Sequence, residues 1–91
     1  MTNEQKQTLI TEFRNERHIS SQVTDEQLMT FFEQAAFFLN SLVSNLDINF
    51  DVDLNARRLA KVHMYYDYYG ALDEFRKRYI GEIYETQISY L

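Results

Sequence analysis

Four oxygen-bearing side chains stand at alternate positions of the stretch DINFDVD, and they are the first candidates for chemistry. They are Asp47, Asn49, Asp51 and Asp53. Such spacing is typical of an EF-hand calcium loop, which also needs Gly at its sixth position and Glu at its twelfth. Those two positions hold Val52 and Arg58. We therefore predict solvated loop acids and no metal site, with Asp53 as the N-cap of the next helix.

His63 is the second candidate for chemistry. A zinc or catalytic role needs partners at a known spacing, as in HExxH, and none stands near His63 in the sequence. The chain has no Cys, which excludes thiolate ligands and disulfides. Glycine occurs only as Gly70 and Gly81, too sparsely for a loop that cradles phosphate. The sequence predicts no enzyme, no cofactor and a structural role for His63.

The charge of the chain is −5 and is unevenly placed. Residues 1–55 carry three bases and nine acids, whereas residues 56–91 carry six bases and five acids. This asymmetry argues against wrapping nucleic acid with the whole surface and is compatible with head-to-tail contacts between copies. A nucleic-acid binder remains an alternative through the six bases of the second half, which are Arg57, Arg58, Lys61, Arg76, Lys77 and Arg78.

The length of 91 residues suits one domain, which we place over residues 1–91. No run of about 18 apolar residues is present, so we predict no membrane span. The first ten residues are polar and lack the apolar centre of a signal peptide. These features predict a cytosolic protein.

The stretch from Thr24 to Leu46 predicts the longest helix, around which the other elements would pack. Thr24 and Gln27 have the spacing of a capping box, which marks the helix start. A helix apolar over so much of its circumference is central to a bundle. Its apolar residues recur every three or four positions, at Leu28, Phe32, Ala35, Leu39, Leu42 and Leu46.

Three further helices are predicted from apolar periodicity, at about residues 3–17, 54–69 and 71–90. Gly70 would end the third helix. The segment from Asp47 to Asp53 alternates with a period of two, which predicts an extended linker. That linker could lie over the bundle or pair with a neighbouring copy. The predicted fold is an all-α bundle of about four helices with one long central helix.

The last third of the chain carries more apolar and aromatic side chains than a small core can bury. The chain has seven Tyr, a residue enriched at protein interfaces because a large apolar ring carries a polar tip. The helix over residues 71–90 has a second apolar stripe with no predicted neighbour, so we regard it as a possible docking arm. The predicted partner-binding residues are Tyr65, Tyr68, Tyr79, Tyr84, Ile88, Tyr90 and Leu91.

The order of these features resembles the head–tail connector (adaptor, or head-completion) proteins of tailed bacteriophages. The resemblance covers about residues 5–70. It is carried by residue types in three places: the helix start TDEQL at residues 24–28, the small residues QAA at 34–36, and the third helix with Ala60, Val62, His63 and Tyr66.

The resemblance implies a non-enzymatic virion protein at the head–tail interface. Such a protein is made in the host cytoplasm, assembles with itself as a ring beneath the portal protein, and meets a tail-side head-completion or stopper protein. DNA passes through the channel of the ring without being specifically bound. The C-terminal segment would dock on the portal. The rival interpretation is a small phage-encoded helical module that inhibits or regulates a host protein.

Overall fold

The computed structural model describes residues 1–44 and 46–91, and these form five helices and no strand. The helices are α1 (Asn3–Glu16), α2 (Asp25–Leu42), α3 (Leu54–Tyr68), α4 (Leu72–Arg78) and α5 (Ile80–Ser89). The predicted all-α class is confirmed, whereas the predicted number of helices is wrong. None of the described helices combines the length and the apolar character needed to cross a membrane.

The starts of α1 and α2 are capping boxes, and the one at α2 confirms the prediction from the sequence. At α2, the backbone N–H of Gln27 donates to Thr24 Oγ1 at 3.1 Å, and the N–H of Thr24 donates to Gln27 Oε1 at 2.9 Å. Thr2 and Gln5 make the same pair of bonds at α1. Each box satisfies N–H groups that have no partner inside the helix, which fixes the helix start.

The helix α2 ends at Leu42, four residues before the predicted end. Ser44 adopts a left-handed backbone with φ of 61°, and the N–H of Val43 bonds to Asn40 O at 3.2 Å in a turn. Val43 is buried while Leu46 is half exposed, so the chain leaves the helix axis once Val43 has reached the core. Asn45, which the prediction also placed in this helix, lies outside the described residues.

The helices α2 and α3 pack side by side, with α1 against α2, α4 against α3, and α5 against both α2 and α3. Ion pairs join α1 to α3: Arg57 Nη2 lies 2.8 Å from Glu12 Oε2, and Lys61 Nζ lies 2.6 Å from Glu16 Oε1. The core they enclose is apolar. Its largest fully buried side chains are Leu9, Ile10, Phe13, Leu28, Phe32, Leu39, Leu59, Met64 and Phe75.

The linker before α3 buries Ile48 and Phe50 as its alternation predicts, but leaves Val52 73% exposed. The cause is a turn, since the N–H groups of Val52 and Asp53 both donate to Asn49 O at 3.1 and 2.9 Å. The turn interrupts the period of two that would have placed Val52 inward. Asp53 then caps α3, accepting from the N–H of Ala56 at 3.0 Å, as predicted.

The predicted helix over residues 71–90 is two helices, α4 and α5, which meet at Tyr79. Tyr79 leaves the helical region, with φ of −112° and ψ of 18°. Phe75 of α4 and Ile83 of α5 are both buried. On a continuous helix these residues, eight positions apart, would point about 80° away from each other. The break lets both side chains reach the same core.

Gly70 ends α3 as predicted, with a left-handed φ of +66°. The N–H of Ala71 donates to Tyr66 O at 2.8 Å, and the N–H of Gly70 donates to Asp67 O at 2.9 Å. These are the two bonds of a Schellman motif, which satisfies carbonyl groups at the helix end.

The two glycines predict opposite effects of the same substitution. Gly70→Ala should lower the free energy of unfolding by about 1 kcal/mol, because an L side chain is strained at positive φ. Gly81→Ala should raise it by about 0.5–1 kcal/mol, since Gly81 lies inside α5 and, apart from the adjacent backbone of that helix, no described atom would lie within 4 Å of the added Cβ. Urea unfolding measured by circular dichroism compares the two variants. Equal effects of the same sign would contradict this assignment.

Candidate protein-binding surface

One side of α5 is fixed to the rest of the molecule. Ile83 is buried, and the hydroxyl of Tyr90, just beyond the helix, donates to Asp53 Oδ2 at 2.6 Å. Arg58 of α3 donates to Glu82 at 2.8 Å. These contacts span the length of α5, so the orientation of its opposite side is set by α3.

The opposite side of α5 presents three large apolar side chains to solvent. Tyr84 is 58% exposed, Ile88 is 66% exposed and Leu91 is fully exposed. Tyr84 and Ile88 stand four positions apart and share one face of α5, and Leu91 follows two residues after the helix ends. We call these three residues the α5 stripe. Exposed apolar side chains grouped in this way mark interaction surfaces in soluble proteins.

Two of the predicted tyrosines lie elsewhere, at the C-terminal end of α3. Tyr65 is half-buried beneath Arg17, whose guanidinium carbon lies 4.3 Å from the ring centroid. Tyr68 is half-buried against Phe31, with ring centroids 6.0 Å apart. Tyr69, which the prediction left out of the binding set, is more exposed than either. The end of α3 is therefore separate from the α5 stripe.

The remaining two predicted tyrosines already have partners within the chain. Tyr79 stacks on Phe75 with ring centroids 5.5 Å apart. Burial raises the pKa of Tyr90 to about 12, and the hydrogen bond and negative charge of Asp53 act in the same direction. Both tyrosines are half-buried. Of the seven predicted residues, the structure brings together the three of the α5 stripe.

An open groove beside α5 was missing from the prediction. It lies where α2 meets α4 and α5, and it is lined by Phe37, Phe38, Leu72 and Ile80 among others. Phe37 is 75% exposed and Ile80 is 45% exposed. The signal available in the sequence was the position of Phe37, which falls outside the apolar face of α2. The groove itself depends on how α4 packs, which periodicity does not report.

His63 lies at the floor of this groove, between two rings. Its ring centroid is 5.1 Å from that of Phe38, which stacks on it, and 5.1 Å from that of Phe75, which meets it edge to face. Nδ1 is buried and has no hydrogen-bond partner among the described residues. Burial lowers the pKa of His63 from its ordinary value of 6.5; Asp67 opposes this shift and Arg76 adds to it. The neutral imidazole is therefore the form that fits the site.

The six basic residues of the second half do not form one surface. Arg57 and Lys61 face the acids of α1. Arg58 faces Glu82 of α5, and Arg78 pairs with Glu74 within α4 at 3.5 Å. Much of the charge asymmetry seen along the sequence is thus offset by ion pairs within the molecule, which weakens it as an argument for contacts between copies.

Two of the three acids of the linker have hydrogen-bond partners within the molecule. Asp51 accepts a hydrogen bond from Gln5 Nε2 at 3.1 Å, and Asp53 caps α3. Residues 1–44 and 46–91 contain no cluster of three or more His, Cys, Asp or Glu side chains that could hold a metal ion.

Comparison of the chain with family models, with curated proteins and with solved structures found no match. The resemblance to phage connector proteins therefore rests on the residue patterns in the sequence. The α5 stripe is an independent observation, because it follows from the packing of α5 and not from that resemblance.

Proposed function

We propose that this protein is a non-enzymatic connector subunit of a tailed phage, and that its α5 stripe docks on the portal protein. The observation that carries the proposal is the exposure of Tyr84 and Ile88 on one face of an otherwise anchored helix, and of Leu91 just beyond its end. A helix held by Ile83 and Tyr90 offers its outer face in a fixed orientation, which limits the entropy lost on binding.

The size of the stripe suits a docking contact. Full burial of one large apolar side chain contributes about 1.5–3 kcal/mol, so the stripe, in which Tyr84 and Ile88 are already partly covered, contributes at most roughly 5–9 kcal/mol before the cost of association. A single copy would bind weakly. A ring of copies would bind through many such contacts at once, and avidity would strengthen the attachment.

In this proposal the chain works by assembly. Copies form a ring under the portal, a tail-side stopper or head-completion protein covers the other end of the ring, and the site of action is the head–tail interface of the virion. The net charge of −5 suits a channel that lets DNA pass without gripping it. The host cytoplasm is where the subunits would be made and assembled.

The test is binding to the portal protein encoded in the same phage genome. The double variant Tyr84→Glu, Ile88→Glu should weaken co-purification at least about 100-fold, because two charges would enter an apolar contact. Tyr69→Glu, a similar change at an exposed tyrosine directly after α3, is the control and should bind as the wild type does. Point changes are preferable to deleting residues 80–91, which would also remove buried Ile83.

The outcomes separate the two interpretations. Portal binding that depends on the stripe, together with a ring seen by light scattering or negative-stain microscopy, supports the connector. If the chain does not bind the portal protein and forms a one-to-one complex with a host protein, the result favours a module that regulates that host protein. Portal binding unchanged in the double variant would remove the stripe from the proposal.

A further inference from the structure

The helices α4 and α5 contribute little to the core. Eighteen apolar side chains are buried in the described part of the chain, and sixteen of them lie between Leu9 and Met64. The other two are Phe75 of α4 and Ile83 of α5. Segments with few buried apolar side chains open at lower free energy than the rest of a protein. The first three helices and the linker can therefore keep their core when α4 and α5 are released.

A hinge for such a movement is present at the end of α3. Gly70 is exposed, and its left-handed backbone closes α3 through the bonds of Gly70 and Ala71. The Schellman motif ends α3 independently of the chain beyond Ala71, since both acceptor carbonyls belong to α3. The chain after Ala71 can thus change direction without unwinding α3.

The hydrogen bond of Tyr90 to Asp53 and the ion pair of Arg58 with Glu82 hold α5 closed, and the contact that holds α4 closed includes His63. The imidazole lies between Phe38 of α2 and Phe75 of α4, so it joins three helices. Its buried Nδ1 has no acceptor within hydrogen-bond reach among the described residues. A proton placed there would carry charge into an aromatic site with nothing to accept its hydrogen bond, which disfavours the closed arrangement.

We propose that α4 and α5 form an arm that opens from α2 and α3 when His63 takes up a proton. Opening exposes the imidazole to water, where its positive charge is solvated. It also uncovers Phe38 on α2 and Phe75 on α4, and only Phe75 would add to the apolar surface of the arm that carries the α5 stripe. This opening of α4 and α5 does not require that the stripe binds a portal protein, because it depends only on packing inside one chain.

The charged groups facing His63 are few. Asp67 stands one turn after His63 on α3, and Arg76 of α4 is the other charged group that acts on the imidazole. The guanidinium carbon of Arg76 lies 5.6 Å from the centroid of the Phe38 ring. The lining that α2 and α5 supply, which is Gln34, Phe37, Phe38, Ser41, Ile80 and Ile83, carries no titratable side chain. The closed form is favoured while His63 is neutral. The part of the free energy that favours the closed over the open form because His63 is neutral is present above pH 6.5. It is lost as the pH falls through the lowered pKa of His63 in the closed form.

Amide hydrogen exchange of the full chain, corrected for intrinsic rates, tests the arm at about pH 7 and about pH 5. Because one proton is involved, the open fraction should rise up to about tenfold per pH unit between the pKa values of the two states. Amides of residues 72–89 should lose protection by that factor. Amides of α1 and α2 should keep theirs.

His63→Phe keeps an aromatic ring and removes the proton, so its arm should stay closed at both pH values. His63→Leu serves as a second variant in case the larger ring disturbs folding. His18→Gln removes the exposed histidine and should behave as the wild type does. The proposal would be overturned by any of three results. These are an equal loss of amide protection in all helices, no change in the protection of residues 72–89 between the two pH values, and a pH response that persists in the His63 variants.

Discussion

Phe32→Ala is expected to lower the free energy of unfolding by about 3–5 kcal/mol. Phe32 lies on the inner face of α2 and is 2% exposed. Its ring meets that of Phe50 edge to face, with centroids 5.7 Å apart, so it also holds the linker against the helices. Alanine leaves a cavity that the surrounding helices can fill only in part, and the cost includes both lost burial and lost contact.

Phe37→Ala is the matched control for this prediction. The same substitution five residues later in the same helix removes a side chain that is 75% exposed, and it should change stability by less than about 0.5 kcal/mol. Chemical denaturation of both variants at one temperature measures the contrast. A loss at position 37 that approaches the loss at position 32 would mean that Phe37 is covered in solution, for example by another copy.

Arg57→Ala is expected to lower the free energy of unfolding by about 2–3 kcal/mol. Although charged, Arg57 is 8% exposed. Its Nη1 donates to Phe50 O at 3.2 Å, while Nε and Nη2 donate to Glu12 Oε2 at 3.1 and 2.8 Å. Alanine would leave the carbonyl of Phe50 without this donor and would remove the packed stem of the arginine. The linker and α1 would both lose an attachment to α3.

Arg58→Ala is the natural comparison, since it removes the next residue and a similar ion pair. Arg58 has a side chain that is 54% exposed, and its pair with Glu82 should contribute less than about 1 kcal/mol. Guanidinium chloride screens charges, so urea is the denaturant of choice. Equal losses for the two variants would show that burial does not distinguish these arginines.

The ion pair of Arg57 also predicts a pH dependence. Burial acts to raise the pKa of Glu12, but the hydrogen bonds and charges of Arg57 and Lys61 outweigh it and lower the pKa below 4.5. The stabilisation is therefore present above pH 4.5 and is lost as the pH falls through the lowered value. In Arg57→Ala, the loss of stability on acidification in that range should be smaller than in the wild type.

Much of the secondary structure was predictable because its signals are local. The capping boxes at Thr2 and Thr24, the N-cap at Asp53 and the left-handed Gly70 each depend on residues within a few positions of one another. Such local contacts do not depend on how distant parts of the chain pack. The inward positions of α2 were predictable for a similar reason, since a helix repeats every 3.6 residues and a core selects one face.

The errors have a common cause, which is that packing at a distance overrode the local pattern. The apolar repeat of α2 runs on to Leu46, but the chain turns at Ser44 to bury Val43. The repeat over residues 71–90 is unbroken in the sequence. Tyr79 nevertheless leaves the helical region, because Phe75 and Ile83 must both face a core that α2 and α3 define.

Residue types and their spacing are enough to predict that the chain is helical, where most helices begin, and that apolar side chains are in excess near its end. Which of those side chains remain uncovered depends on the packing of the helices. Tyr90 donates a hydrogen bond to Asp53, and Tyr79 stacks on Phe75. The side chains that remain exposed to solvent are Tyr84, Ile88 and Leu91. Hydrophobicity is a property of each residue, whereas exposure depends on which neighbours the fold brings to it.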